Sequence, residues 1–198
     1  MSRTIEFFWD CVSPYTYIAA TQIEGLARDC GAQLRWRPFL LGGVFKAVGN
    51  RPPAQLPPKG KHLFIDLARW AGYYGIPLTM PSAFPTNSIT AQRIATAMAD
   101  DPRAAELAKA LMHRYWGVGE DIADEKVLRS VMQGMELDAD ALLAAAGDPV
   151  VKERLKANTE EAVQRGAFGA PTFFIGEDMY WGSDRMDLMR AQLSGAAA

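Results

Sequence analysis

Runs that read as strands occur only toward the two ends of this chain, and that distribution limits the folds open to it more than any other feature. Ile5 to Trp9 is an aromatic, apolar run that reads as a first strand. A helix follows from Ser13, carries apolar residues at Tyr15, Ile18, Ala19, Ile23 and Leu26, and stops at Gly31. Gln33 to Arg37 reads as a second strand, with Leu34 and Trp36 on one face. From Leu40 to about Arg165 the pattern is helical. Leu63, Leu67, Trp70, Ala71 and Tyr74 share one face, and Ala91, Ile94, Ala95 and Met98 share another. Asp101-Pro102 and Asp148-Pro149 each offer an N-cap with proline at the first helical position, and Asp124 and Asp138 read as further caps. Strand character returns at Pro171 to Ile175, and a Gly176-Glu177-Asp178 turn leads into Met179 to Trp181 as a hairpin. A last helix runs from Ser183-Asp184 to about Leu193. Each two-stranded half-sheet is too small to stand alone, so the two ends must join.

Joined, they make an α/β chain: a four-stranded thioredoxin-like fold with a large all-helical insertion. The predicted boundaries are 1–39 and 166–198 for the discontinuous sheet domain and 40–165 for the insertion. With 198 residues, 49% of them hydrophobic, the chain can bury one sizeable core. A formal net charge of −2 argues against nucleic acid or a membrane surface as partner. No apolar run approaches the roughly 18 residues of a membrane span. Met1-Ser2-Arg3 leads straight into the first strand, so no secretory leader is expected, and two cysteines do not make a disulfide framework. Together these predict a cytoplasmic location, with Cys11 and Cys30 both buried and inert. The proline-rich segment from Gly49 to Gly60 is the one long irregular stretch, and its stiffness suits a functional loop.

Three places in this frame carry chemistry. Ser13 is a favoured N-cap and Pro14 fits the first helical position, which puts a hydroxyl at the positive end of a helix beside the end of a strand. Thiol–disulfide oxidoreductases place Cys-x-x-Cys at such a turn, where the helix end stabilises a thiolate. Here the four positions read Ser13-Pro14-Tyr15-Thr16, so the turn suits another molecule's thiolate but forms no disulfide of its own. Pro171 opens the third strand among small residues, where a cis-proline would face the active helix and leave backbone groups free for an extended peptide. Ser183-Asp184 puts backbone N–H groups, a hydroxyl and a carboxylate at the last helix start, a site for a carboxylate and an ammonium. Each feature alone also reads as ordinary structure: a cap, a trans proline on an edge strand, a second cap. A ligand with a thiol, a peptide backbone, a carboxylate and an ammonium would satisfy all three, and glutathione is such a ligand.

The chain resembles the 2-hydroxychromene-2-carboxylate isomerase family and the similar kappa-class glutathione transferases, in the DsbA-like branch of the thioredoxin superfamily. The resemblance rests on Phe8-Trp9-Asp10 through Ser13-Pro14-Tyr15, Gly49-Asn50-Arg51-Pro52-Pro53, Phe84-Pro85-Thr86-Asn87, and Tyr115-Trp116 with Glu120-Asp121-Ile122. Gly166 through Pro171 and Gly182-Ser183-Asp184-Arg185 complete it. It implies that Ser13 bonds the glutathione sulfur and that Asn50 contacts glutathione or substrate. Ala170 and Pro171 would meet the cysteinyl unit, and Ser183 and Asp184 the γ-glutamyl end. Lys46, Arg51, Lys59, Tyr74 and Asn87 are candidates for the side facing a small aromatic carboxylate, although Tyr74 also continues an apolar helix face. The implied activity is glutathione-dependent isomerisation, in which reversible thiolate addition frees a double bond to rotate. A transferase that releases the conjugate and a noncatalytic thioredoxin-like binding module are the alternatives, and Ser13 and Thr16 argue against a disulfide oxidoreductase. The resemblance also implies a homodimer. His62 and His113 match no ligand pattern, so no metal is expected.

Overall fold

Alternation along the first strand decides how the layers stack. β1 (Thr4–Trp9) sends Ile5, Phe7 and Trp9 to one side and Phe8 to the other, the two-residue period of a strand. The computed structural model describes residues 3–195. After β1 come α1 (Pro14–Ala20), α2 (Ile23–Asp29) and β2 (Gln33–Pro38). The helical stretch comprises α3 (Leu41–Val48), a 3-10 turn at Pro53–Gln55, α4 (Pro57–Tyr74), α5 (Ile89–Ala97) and α6 (Ala104–Met112). A π-helical turn at His113–Val118 leads to α7 (Glu125–Gly134), α8 (Ala139–Ala146) and α9 (Pro149–Gln164). β3 (Thr172–Ile175), β4 (Asp178–Trp181), a 3-10 turn at Ser183–Arg185 and α10 (Met186–Leu193) close the chain.

The two chain ends form one sheet in the order β2-β1-β3-β4. β1 pairs parallel with β2 and antiparallel with β3. Phe7 lies opposite Phe173 in that register, and their rings stack at 4.9 Å while Trp36 meets Phe7 edge-on. This face packs on Ile18's helix neighbours Ala19 and Ala20 and on Ile94, Leu107, Met112 and Leu128, so sheet and helical insertion share one apolar core. Full burial of each of the larger of these, such as Ile94, Leu107 or Met112, stabilises by about 1.5–3 kcal/mol. On the opposite face Phe8, Phe39, Val44, Ala162 and Phe174 form a smaller cluster under α3 and α9. Its border is ionic: Arg37 and Arg165 both reach Glu6 at 2.7 Å and both contact Glu161. Arg165 also lies 3.8 Å from the centroid of Phe174.

Several expectations need correction. The first helix is two helices, broken at Thr21-Gln22, where the Thr21 hydroxyl donates to Ile18 O at 2.7 Å. Ile18, Ile23 and Leu26 all face apolar clusters across the break, so helical spacing did not reveal it. Asp101-Pro102 does not cap α6: Asp101 accepts from Arg103 N in the preceding turn, and the helix begins at Ala104. Asp124, Asp138 and Asp148 do cap, bonding Lys126 N, Ala141 N and Val150 N. The irregular stretch after Gly49 ends at Leu56, because Pro57 and Pro58 fit the first turn of α4, where no N–H is required. Cys11 is buried, but Cys30 is only half-buried at the end of α2.

Candidate active site

The cap of α1 is the centre of the site. Ser13 holds an extended backbone, and its hydroxyl accepts from Thr16 N at 3.3 Å. The same hydroxyl donates to Ala170 O at 3.1 Å, joining the α1 terminus to the loop before β3. Ser13 is almost fully buried, and the Ala170–Pro171 peptide is cis. Thr16 stands where a second cysteine would sit in a disulfide enzyme, and its buried hydroxyl oxygen has no partner among the described residues. The one thiol nearby cannot replace the missing sulfurs. Cys11 is enclosed, and burial together with the Asp10 carboxylate pushes its thiol well above its ordinary value.

The turn that presents Ser13 is held from the helical insertion. Asp10 is buried, its two carboxylate oxygens accepting from Val12 N at 3.1 Å and from Leu41 N, the first residue of α3, at 2.8 Å. Its backbone oxygen accepts from Ser13 N. Burial raises the Asp10 carboxyl pKa, and the N–H groups of Leu41 and Val12 oppose that rise. Trp116, in the π-helical turn, donates through Nε1 to Cys11 O at 2.9 Å. Gln92 of α5 donates to Trp9 O and Phe39 O at 2.8 and 2.9 Å, tying the ends of β1 and β2 together. Sequence reasoning assigned no role to Gln92, Trp116 or the Asp10 side chain. Phe8-Trp9-Asp10 and Tyr115-Trp116 were visible motifs, whereas a glutamine inside a helical face gave no signal.

Asn50 arrives from the insertion on the other side. Gly49 ends α3 in the left-handed region at φ 70°, which turns the chain so that Asn50 Nδ2 donates to Phe168 O at 2.8 Å. Its Oδ1 accepts from Arg51 N at 2.8 Å. Asn50 thus bridges the insertion to the loop that carries Ala170 and Pro171. Within that loop, Gly169 is required by packing, because an added Cβ would lie 2.5 Å from Trp181 Nε1. Trp181 in turn covers Phe168 at 4.8 Å.

Ser183 and Asp184 lie on the 3-10 turn that opens the last helical segment, packed against α1. Ser183 is buried, and exposed Asp184 pairs with Arg185 at 2.7 Å. Tyr15 of α1 donates to Asp66 of α4 at 2.7 Å. Burial, Asp66 and Asp184 all raise its phenol pKa, so Asp184 faces the first turn of α1. Ser13, Ala170, Pro171, Ser183 and Asp184 therefore lie about one helix terminus, and Asn50 is tied to the same loop through Phe168.

The five substrate-side candidates are not gathered in this way. Arg51 adjoins Asn50, and Lys46 sits exposed in the last turn of α3. Lys59 and Tyr74 occupy opposite ends of α4, fifteen residues or roughly 22 Å apart, so they cannot line one small subsite. Tyr74 stacks on Trp70 at 5.7 Å and borders the cluster of Ile18, Leu63 and Leu67, which accounts for its ring as packing. Asn87 accepts from Ile89 N at 3.0 Å and caps the approach to α5. Among the described residues, no group of His, Cys, Asp and Glu is placed to hold a metal ion, and no helix is long and apolar enough to cross a membrane.

A four-stranded sheet, a helical insertion after β2, and a capped helix facing a cis-proline define a DsbA-like thioredoxin protein that has lost both active-site sulfurs. The chain belongs to the DSBA-like thioredoxin domain family, whose model matches residues 4–194, and within it to the 2-hydroxychromene-2-carboxylate isomerases, with kappa-class glutathione transferases as near relatives. It is 34% identical to the 2-hydroxychromene-2-carboxylate isomerase of Sphingobium xenophagum over 195 residues, 98% of this chain and 99% of that one. It is 34% identical to Glutathione S-transferase kappa 1 of Homo sapiens over 203 residues, 96% of this chain and 90% of that protein. The solved structure of a 2-hydroxychromene-2-carboxylate isomerase superposes with a TM-score of 0.89 at 29% identity, covering 97% of this chain and 95% of that one. The chain is thus an enzyme of the isomerase type.

Proposed function

We propose that this enzyme isomerises a 2-hydroxychromene-2-carboxylate-type aromatic compound, with glutathione as its thiol cofactor. The carrying observation is the cap of α1: a hydroxyl at the positive end of a helix, suited to a thiolate, in a chain that places no usable thiol there. When bound, glutathione supplies a thiol that can add reversibly to a conjugated double bond. A free thiol has a pKa of about 8.5, so the positive end of α1 and the Ser13 hydroxyl have to lower it.

Ser13 would turn its O–H from Ala170 O toward the sulfur, a charge-assisted bond stronger than the one it gives up. Ala170 O, once released, and the backbone beside Pro171 would pair with the cysteinyl unit. Ser183 and Asp184 would hold the γ-glutamyl end, its ammonium against Asp184 and its carboxylate at the turn's N–H groups. Arg51, next to Asn50, and Lys46, in the last turn of α3, would hold the substrate carboxylate and stabilise negative charge developing on its carbonyl oxygen. The reading includes a cytoplasmic homodimer, as the resemblance implies.

The test follows glutathione itself. Many turnovers of 2-hydroxychromene-2-carboxylate per glutathione, with the thiol titre unchanged, are expected. Stoichiometric thiol loss with no isomerised product would establish the second reading, a kappa-like transferase, which the 34% identity to the human enzyme supports. Inertness in both assays would leave a binding module.

A further inference from the structure

Sharing no residue with the Ser13 site, a groove of about 820 Å³ runs along β2 between α2, the α5–α6 connection and α9. That volume lies in the range of binding clefts, roughly 300–1,000 Å³. β2 is an outer strand of the sheet, so one side of its backbone has no neighbouring strand. The Gln33 N–H donates to Arg3 O at 2.7 Å and the Phe39 N–H to Trp9 O at 3.1 Å, which fixes the parity of the strand. Odd residues turn their backbone groups inward to β1. Leu34 and Trp36 therefore turn theirs toward the groove. Pro38, next in that parity, offers no N–H and limits any added strand to a short one.

Charge selects the occupant. Each carboxylate lining the groove already has a cation: Glu24 has Lys109 at 2.7 Å, Asp100 has Arg154 at 2.7 Å, and Asp101 has Arg103 at 3.0 Å. Arg37 is taken up by Glu6 and Glu161. Among the described residues, Arg28 and Arg35 line the groove with no carboxylate partner. We propose that this groove binds a short, extended, acidic peptide segment as a fifth strand on β2, its backbone pairing with Leu34 and Trp36 and its carboxylates with Arg28 and Arg35. Antiparallel β2–β2 registers centred on Arg35 or Trp36 would set arginine against arginine, whereas an acidic strand meets no such clash.

Arg35 shares the Phe8 face of the sheet with Arg37 and Arg28 lies on α2 across the other face, so the test is fluorescence anisotropy with a labelled pentaglutamate, which presents carboxylates to both faces. Saturable binding at low salt is expected, absent for pentalysine and lost when alternate backbone amides are N-methylated. The Arg28→Glu/Arg35→Glu variant, its fold checked by circular dichroism, should bind at least about tenfold more weakly. No saturable binding at millimolar peptide, or binding indifferent to the double variant, overturns the proposal. Binding that survives N-methylation also overturns it and indicates a site for small organic anions. So does a dimer in sedimentation that the double variant alters while the peptide fails to bind, which would assign the groove to a second copy.

Discussion

The hydroxyl of Ser13 donates to the backbone carbonyl of Ala170 at 3.1 Å, linking positions 157 residues apart. One bond thus joins a helix cap coded near the start of the chain to the cis-proline loop coded near its end. A ligand thiol entering here competes for that hydroxyl, so the contact is both a structural link and the switch point of the proposed chemistry.

Ser13→Ala should fold, with the loss of its cap costing about 0.5–2 kcal/mol in urea unfolding. Isomerase activity should fall by one to two decades, since a hydrogen bond to a charged group contributes roughly 1.5–3 kcal/mol. Full activity from pH 6 to 9 would remove Ser13 from the chemistry.

Glutathione should stabilise the fold by mass action, about 2.7 kcal/mol at a hundredfold excess over its dissociation constant. S-methylglutathione should raise the melting temperature too, because most of the contacts proposed for Asn50, Ala170, Ser183 and Asp184 do not need the thiol. No shift with either ligand at saturating concentrations contradicts the glutathione reading.

Asn50→Ala removes an exposed side chain, so stability should change by less than about 0.5 kcal/mol. The bridge to Phe168 O is lost, however, and with it the fixed distance between the insertion and the Ala170 loop. Steady-state kinetics should show KM for glutathione rising several-fold with kcat changed less. A fall in kcat alone would place Asn50 elsewhere in the mechanism.

Asp10→Ala leaves the buried Leu41 N–H and the Val12 N–H without acceptors, at about 1–3 kcal/mol for each group left unpaired. Urea unfolding should show a loss of about 2–6 kcal/mol. A loss below about 0.5 kcal/mol would mean that water replaces the carboxylate.

Glu161 tests the ionic border of the second cluster. Burial works to raise its pKa, but Arg37 and Arg165 outweigh it, and the folded value lies below the ordinary 4.5. A depressed carboxylate pKa gives stability present above the unfolded value and lost as pH falls through the folded one. The melting-temperature gap between wild type and Glu161→Gln should therefore be open at pH 7 and close below about pH 4. A gap that widens on acidification contradicts this sign.

Local physics made much of this protein legible in its sequence. The caps at Ser13, Asp124, Asp138 and Asp148 depend on residues two or three positions away, so a single stretch of chain contains both partners. The strands at both ends showed in their apolar runs, and the need to bury two half-sheets made them one. Ser13, Pro171 and Ser183 stood out because helix starts and X-Pro bonds carry local signatures.

Tertiary structure alone decided what holds and separates these pieces. The Thr21-Gln22 break escaped detection because both half-helices bury apolar faces, so the periodicity runs through it. Gln92, Trp116 and Asp10 fasten the turn that presents Ser13 through partners 83, 105 and 31 residues away, and hydrogen bonds of that span leave no periodic trace. Lys59 and Tyr74 were grouped by side-chain chemistry, but one straight helix sets them roughly 22 Å apart. Composition and capping act within a few residues of chain and can be read there. Distance, burial and the pairing of charges arise only when remote segments exclude water from the same space.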